Sequence, residues 1–312
     1  INGGTGDDKL DYSLTSTPLT FSTFSTAGTL DGFQGNANGA TFDNINGVIG
    51  SSAQDTLQGD ATAADDFTVT GADAGELVVP GIGTFTFESI EILDGRGGDD
   101  TFAFNNGATL SGGIVGGAGA DTVAGDNSAA DTFNILGSGT GNINGATTFA
   151  GIETLDGRGG ADTFAFTDAG ALAGGVIGGA DTDTLDLSAT TSANTIDVSN
   201  SAATNFIDGS YSSINGGATD GYTGIETLVG GAATTLTSSY NGTTFTLTGI
   251  GAGSIATSPV TFTAIPNITE TGTGTTFALG ENGGVTGDLS SGGNGTLSYA
   301  GATSAVTVDL LS

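Results

Sequence analysis

Apolar and polar residues alternate along this chain in short runs such as Thr101-Phe102-Ala103-Phe104, and clusters of Gly and Asp separate one run from the next. A period of two is the signature of a strand, whose successive side chains point to opposite faces. Capped stretches with helical spacing of apolar positions are missing. A lone strand of four residues cannot bury its own apolar face, but it can do so against a similar strand stacked on it. The pattern therefore predicts an all-β chain folded as a parallel β-solenoid, β-helix-like or β-roll-like, with irregular turns and an elongated, rod-like shape.

Internal repetition supports that reading. The stretch Leu93 to Asp121 returns at Leu155 to Asp183 with 18 of 29 positions identical at a constant offset of 62. A second unit reads aromatic-x-x-Ile-x-x-aliphatic and starts at Phe42, Phe87, Phe149, Tyr222 and, in weaker form, Phe262. Successive copies are 45, 62, 73 and 40 residues apart, so bulges and loops are expected to absorb the differences. A third unit runs over 10–21, 185–196 and 297–308. Coils of about 20 residues would give roughly 15 of them, and at about 4.8 Å per strand a rod on the order of 70 Å long. In the aromatic unit, Glu91, Glu153 and Glu226 fall between apolar neighbours and are expected to point outward as solvated rungs.

Composition sharpens this picture. The 58 Gly and 4 Pro among 312 residues are unusual for a globular core, yet 36% hydrophobic residues in strand-like runs are enough to order the chain. Lys9, Arg96 and Arg158 face 34 acidic residues, for a formal charge of −31. Such a surface disfavours nucleic acid and anionic membranes and favours cations. Cys, His, Met and Trp are absent, which removes disulfides, thiolate and imidazole metal ligands and most nucleophile-and-base pairs. No apolar run approaches 18 residues, so no membrane insertion is expected in this segment. The sequence opens and closes inside motifs, which suggests a segment of something longer.

Two regions are distinguished: an acidic, Gly/Asp-rich solenoid over 1–230 and a Thr-rich continuation over 231–312. Only Glu270, Glu281, Asp288 and Asp309 of the acidic residues lie in the second.

The nonapeptide pattern G-G-x-G-x-D-x-U-x, with U a large apolar residue, is matched by GGTGDDKLD (Gly3 to Asp11) and GGAGADTVA (Gly116 to Ala124). GRGGDDTFA at Gly95, GRGGADTFA at Gly157 and GGADTDTLD at Gly178 are near matches. These stretches resemble the RTX, or haemolysin-type, calcium-binding repeats of secreted bacterial proteins. The resemblance implies Ca²⁺ as a cofactor, with Asp8, Asp100, Asp121, Asp162 and Asp183 as ligands. Here, however, the copies stand alone rather than in tandem. Asp100 and Asp121 are 21 residues apart, as are Asp162 and Asp183, close to one coil, so stacked pairs could share an ion. The competing reading is that Gly and Asp are simply what sharp corners require.

Other candidates are weaker. Arg96 and Arg158 hold equivalent places in LDGRGG; a duplicated Arg beside Asp points to a salt bridge holding a turn rather than to catalysis. Asp65 and Asp66 form a carboxylate pair, but the related position at Asp131 has only one. The five tyrosines are scattered, which argues against a sugar-binding face, and the Thr spacing over 236–249 is too irregular for an ice-binding one.

The expected function is a non-enzymatic, extracellular or cell-surface structural segment of a bacterial protein. It would form a filament, stalk, sheath or adhesin shaft, as in giant repetitive surface proteins, by self-association and with divalent cations as partners. The alternatives are a calcium-responsive, RTX-like secretion or passenger module and a β-helix carbohydrate-active or carbohydrate-binding protein.

Overall fold

The computed structural model describes residues 1–79, 81–198, 210–211, 221–256 and 260–304. Among these residues every regular element is a β-strand. From Ile92–Asp94 the chain passes to Thr101–Phe104, then to Gly113–Val115 and Thr122–Ala124. The first pairs in parallel with the third, and the second with the fourth, so successive strands fall in two different sheets. One is a ten-stranded sheet; the other is larger and extends from Ala40–Ile45 at one edge to Thr296–Gly301 at the other. Tyr222–Thr223 is the last strand of the ten-stranded sheet, and from Thr227 onward the larger sheet alternates with a five-stranded sheet that begins at Asn194. Phe33 and Phe42 of the larger sheet meet Phe85 of the ten-stranded sheet at 5.4 and 6.2 Å, so the sheets face each other across a shared core. The fold is the predicted solenoid, in the flattened, two-layered form of a roll.

The irregular spacing has a different origin from the bulges and loops expected. Four times among the described residues, a three-stranded antiparallel meander takes the place of a single strand. The meanders begin at Thr20–Ala27, Asp66–Gly71, Thr132–Gly137 and Thr244–Gly249, and each ends on a strand of the aromatic unit. Coils of two single strands offset their paired strands by 20 or 21 residues, as for Asp100 and Asp121, whereas the coil holding Thr132–Ala150 needs 31 and the one from Asp183 to Glu226 needs 43. Coils are thus fewer than a uniform 20-residue turn implies. Each meander still adds three strand widths, so the length stays on the order of 70 Å.

The meanders have a second consequence. Each counts as one pass between layers, and the two copies of the long repeat are an odd number of passes apart. Thr101–Phe104 therefore lies in the ten-stranded sheet and its copy Thr163–Phe166 in the larger one. The same packing recurs on both sides of the core. Phe67 and Phe102 stack at 5.0 Å with planes 4° apart, and Phe133 and Phe164 at 4.9 Å and 4°. All four rings are essentially fully buried. Pairing runs without interruption across position 231, through Thr227 opposite Thr261 and Thr195 opposite Thr235.

Candidate functional site

The acidic residues cluster where the chain turns from one layer into the other. In the corner Gly95 to Asp100, Arg96 has φ 69°, its N–H donates to Asp94 Oδ1 at 3.1 Å and its carbonyl accepts from Ala118 N–H at 2.9 Å. Arg158 repeats this with φ 66°, Asp156 and Ala180. What recurs is therefore the left-handed backbone, not the expected salt bridge. Arg158 Nε lies 4.0 Å from Asp156 Oδ2, whereas Arg96 forms no ion pair among the described residues.

Each corner delivers an acidic residue to the position just before a strand, and these residues stack. Asp65 N–H donates to Asp100 Oδ1 at 2.8 Å, Asp100 N–H to Asp121 Oδ1 at 2.8 Å, and Asp121 N–H to Glu153 Oε2 at 2.8 Å. On the opposite edge Asp131, Asp162, Asp183 and Glu226 form the same ladder, at 2.7, 2.8 and 2.9 Å. A shorter one runs from Leu19 N–H through Asp55 to Glu91, at 2.7 Å for both bonds. Each inner carboxylate, of Asp55, Asp100, Asp121, Asp162 and Asp183, thus accepts an amide N–H from the preceding coil while its own backbone N–H donates to the following one.

The glutamates correct the sequence reading. Glu91, Glu153 and Glu226 are half-buried ladder members, not outward solvated rungs. Their coils sit in a shifted register: Glu153 and Thr154 N–H both donate to the Asp121 carbonyl, at 3.0 Å. The longer side chain spans the added distance to the Asp121 amide. Asp65 and Asp131 also belong to the ladders although no corner motif marks them. The signal that finds them all is an acid directly preceding a strand. It reads Asp-Thr or Glu-Thr at 55, 100, 121, 131, 153, 162, 183 and 226, and Asp65-Asp66 and Glu91-Ile92 in the two remaining cases.

The structure brings Asp100 onto Asp121 and Asp162 onto Asp183, as the 21-residue spacing suggested, and buries all four to within 1% of full. Asp8 is half-buried and occupies an equivalent place, its N–H donating to Asn46 Oδ1 at 3.2 Å. Oδ2 of each of these five aspartates is buried without a hydrogen-bond partner. In the four fully buried ones it points at a corner glycine. A Cβ at Gly95 would lie 2.1 Å from Asp100 Oδ2, and one at Gly157 2.3 Å from Asp162 Oδ2. Glycine is required there because the carboxylate occupies the side-chain space.

Burial raises the pKa values of these acids, with neighbouring carboxylates adding to the shift and the accepted amide bonds opposing it. Asp100 and Asp162 are pushed up to about 7, and Asp65 and Asp183 to about 6. Asp121, Glu91, Glu153 and Glu226 move the same way, with burial again the leading cause.

Calcium requires six to eight oxygens converging on one point. In the stacked pairs one oxygen of each carboxylate serves an amide and the other faces glycine, and no three acidic side chains gather into a cation site among the described residues. The side chains as placed do not assemble the donor set that the resemblance implies. Comparison with family models, with curated proteins and with solved structures finds no significant match to this chain.

Proposed function

We propose that this chain is a non-enzymatic structural segment, a shaft that builds a filament, stalk, sheath or adhesin by coil stacking and end-to-end assembly outside the cell. The observation that carries this reading is the ladder-and-sheet continuity along one axis. Backbone pairs, stacked rings and carboxylate bonds all join one coil to the next, and they recur in both layers. Such a column is quasi-one-dimensional, with each coil held by its neighbours. The buried acids of the two long stacks are committed to backbone amides in the ladders, which favours a scaffold role for them over a catalytic one. Thr296–Gly301 pairs on one side only among the described residues, and an open edge of this kind templates further strands, whereas at the other end residues 1–3 already lie along Ala40–Ile45. A location outside a bacterial cell rests on the likeness of the corners to the secreted repeat family.

Electron microscopy and fibre diffraction of the purified 312-residue chain test the reading. Rods or filaments with a meridional spacing of about 4.8 Å are expected. Compact monomers at every concentration would overturn it.

A further inference from the structure

We propose that the corner acids act as amide acceptors needing neither calcium nor charge, so that this chain stacks its RTX-like corners without the metal. Three observations lead there. First, in the ladders Asp65–Asp100–Asp121–Glu153 and Asp131–Asp162–Asp183–Glu226 the same atom-to-atom contact recurs at every step, a backbone N–H on a carboxylate oxygen at 2.7 to 2.9 Å. A cation shared between stacked aspartates would have only their Oδ2 atoms left to it, and those are packed against the corner glycines.

Second, neutral side chains do the same work elsewhere in the molecule. Asn46 takes the Asp8 N–H at the equivalent ladder position. In the Thr-rich region, where acids are few, Asn241 Oδ1 accepts Thr273 N–H at 2.9 Å and Asn267 Oδ1 accepts Asp288 N–H at 3.0 Å, each from the following coil. The common factor along the rod is a short side chain carrying an acceptor. A negative charge is not.

Third, the ladder acids have almost no cationic partners. Among the described residues the ion pairs are Lys9–Glu88 and Arg158–Asp156, and neither involves a ladder member of the two long stacks. A buried carboxylate without a counterion is costly, whereas its neutral amide analogue keeps the acceptor and loses that cost. Folding of this chain is thereby uncoupled from calcium, and the corners would form in calcium-poor surroundings as readily as in calcium-rich ones.

The test follows thermal unfolding of the whole chain by circular dichroism in excess EDTA, in CaCl₂, and in MgCl₂ at matched ionic strength. The expected result is a β-sheet spectrum in EDTA and equal midpoints in the two salts, since any gain from screening the acidic surface is shared by both ions. A saturable rise in midpoint specific to CaCl₂ would overturn the proposal. A second arm uses the quadruple variant Asp100→Asn, Asp121→Asn, Asp162→Asn, Asp183→Asn. It is expected to fold with an unchanged or higher midpoint at neutral pH, and failure to fold would show that carboxylates are required. The uncoupling stands apart from the assembly reading, because microscopy reports rods or monomers whichever way the calcium arm falls.

Discussion

Gly141 sits directly opposite Phe149 across the antiparallel strands Thr140–Ile143 and Thr147–Ala150, and the phenyl ring fills the space a side chain at 141 would take. A Cβ there would lie 2.7 Å from Phe149 Cζ and 2.0 Å from the Asn134 carbonyl oxygen. The same partnership appears as Gly35 with Phe42, Gly75 with Phe87 and Gly253 with Phe262, once in each meander. An aromatic residue thus covers a strand glycine in every one, which pins the register of the middle strand. Gly141→Ala is expected to destabilise the chain by about 1–3 kcal/mol through overpacking. Gly71→Ala, where the nearest atom is 3.8 Å away and φ is not left-handed, should change stability by less than about 0.5 kcal/mol. Equal losses for the two variants in denaturant titration would refute this account of the meander.

Removing one ring of a stacked pair should cost the same in either layer. Phe102→Ala and Phe164→Ala each delete a fully buried ring from an equivalent stack, and each is expected to lose about 3–5 kcal/mol. Chemical denaturation of the two variants compares them directly. A large loss in one and almost none in the other would mean that the copies are not packed alike.

The glutamate that ends a ladder is expected to act through its acceptor oxygen. Glu153→Ala leaves the buried Asp121 amide without a partner and should cost about 1–3 kcal/mol, while Glu153→Gln keeps an acceptor and should cost much less. Hydrogen exchange at the Asp121 amide reports the same difference locally, rising in the Ala variant alone.

Arg96 and Arg158 hold left-handed backbone angles that cost a non-glycine residue about 1 kcal/mol. Arg96→Gly relieves that strain and is expected to be neutral or mildly stabilising, even though it removes one of three basic side chains. A clear drop in unfolding midpoint would restore an ionic role for the guanidinium.

Stability should rise as the solution is acidified from neutrality. The raised carboxyls of Asp65, Asp100, Asp162 and Asp183 hold protons in the folded chain that the unfolded chain has already released. Their contribution is complete below about pH 4 and is lost as the pH climbs through about 6 to 7. The groups facing them are themselves acidic: Asp60, Asp66, Asp99, Asp131, Asp156, Asp181 and Glu226, together with one another and Asp121. Asp168, lowered to about 2 by the Thr191 hydroxyl and nearby amides, works in the opposite sense, as does Glu281, lowered to about 2 by Ser304 and Thr303. Their contribution disappears only as the pH falls toward 2. Thermal midpoints at constant ionic strength should therefore be higher near pH 5 than near pH 8, and the reverse order would contradict the burial of these acids.

Much of the architecture was legible because it is written locally. Thr101-Phe102-Ala103-Phe104 alternates with the period of a strand, and its near-identical copy at 163 has to pack in the same way. The pairs Asp100/Asp121 and Asp162/Asp183 announced their stacking through a spacing equal to one coil. Glu91, Glu153 and Glu226 were misread because alternation says only that a side chain leaves the core face. It does not say that a register shift in the next coil draws the carboxylate back onto an amide. The arginines misled for a similar reason: a conformational demand on the backbone leaves no mark on a residue that glycine could equally have filled.

By itself, then, the amino-acid sequence determined the element type, the stacking of coils and the chemistry of the corners, since strand alternation and glycine-rich turns depend on neighbours a few residues away. Only the tertiary structure decided where meanders replace single strands, that the two copies of the long repeat lie in opposite layers, and which oxygen meets which amide. Those outcomes depend on how many times the chain crosses between sheets and on the register of coils 21 to 43 residues apart, and no single segment carries that information.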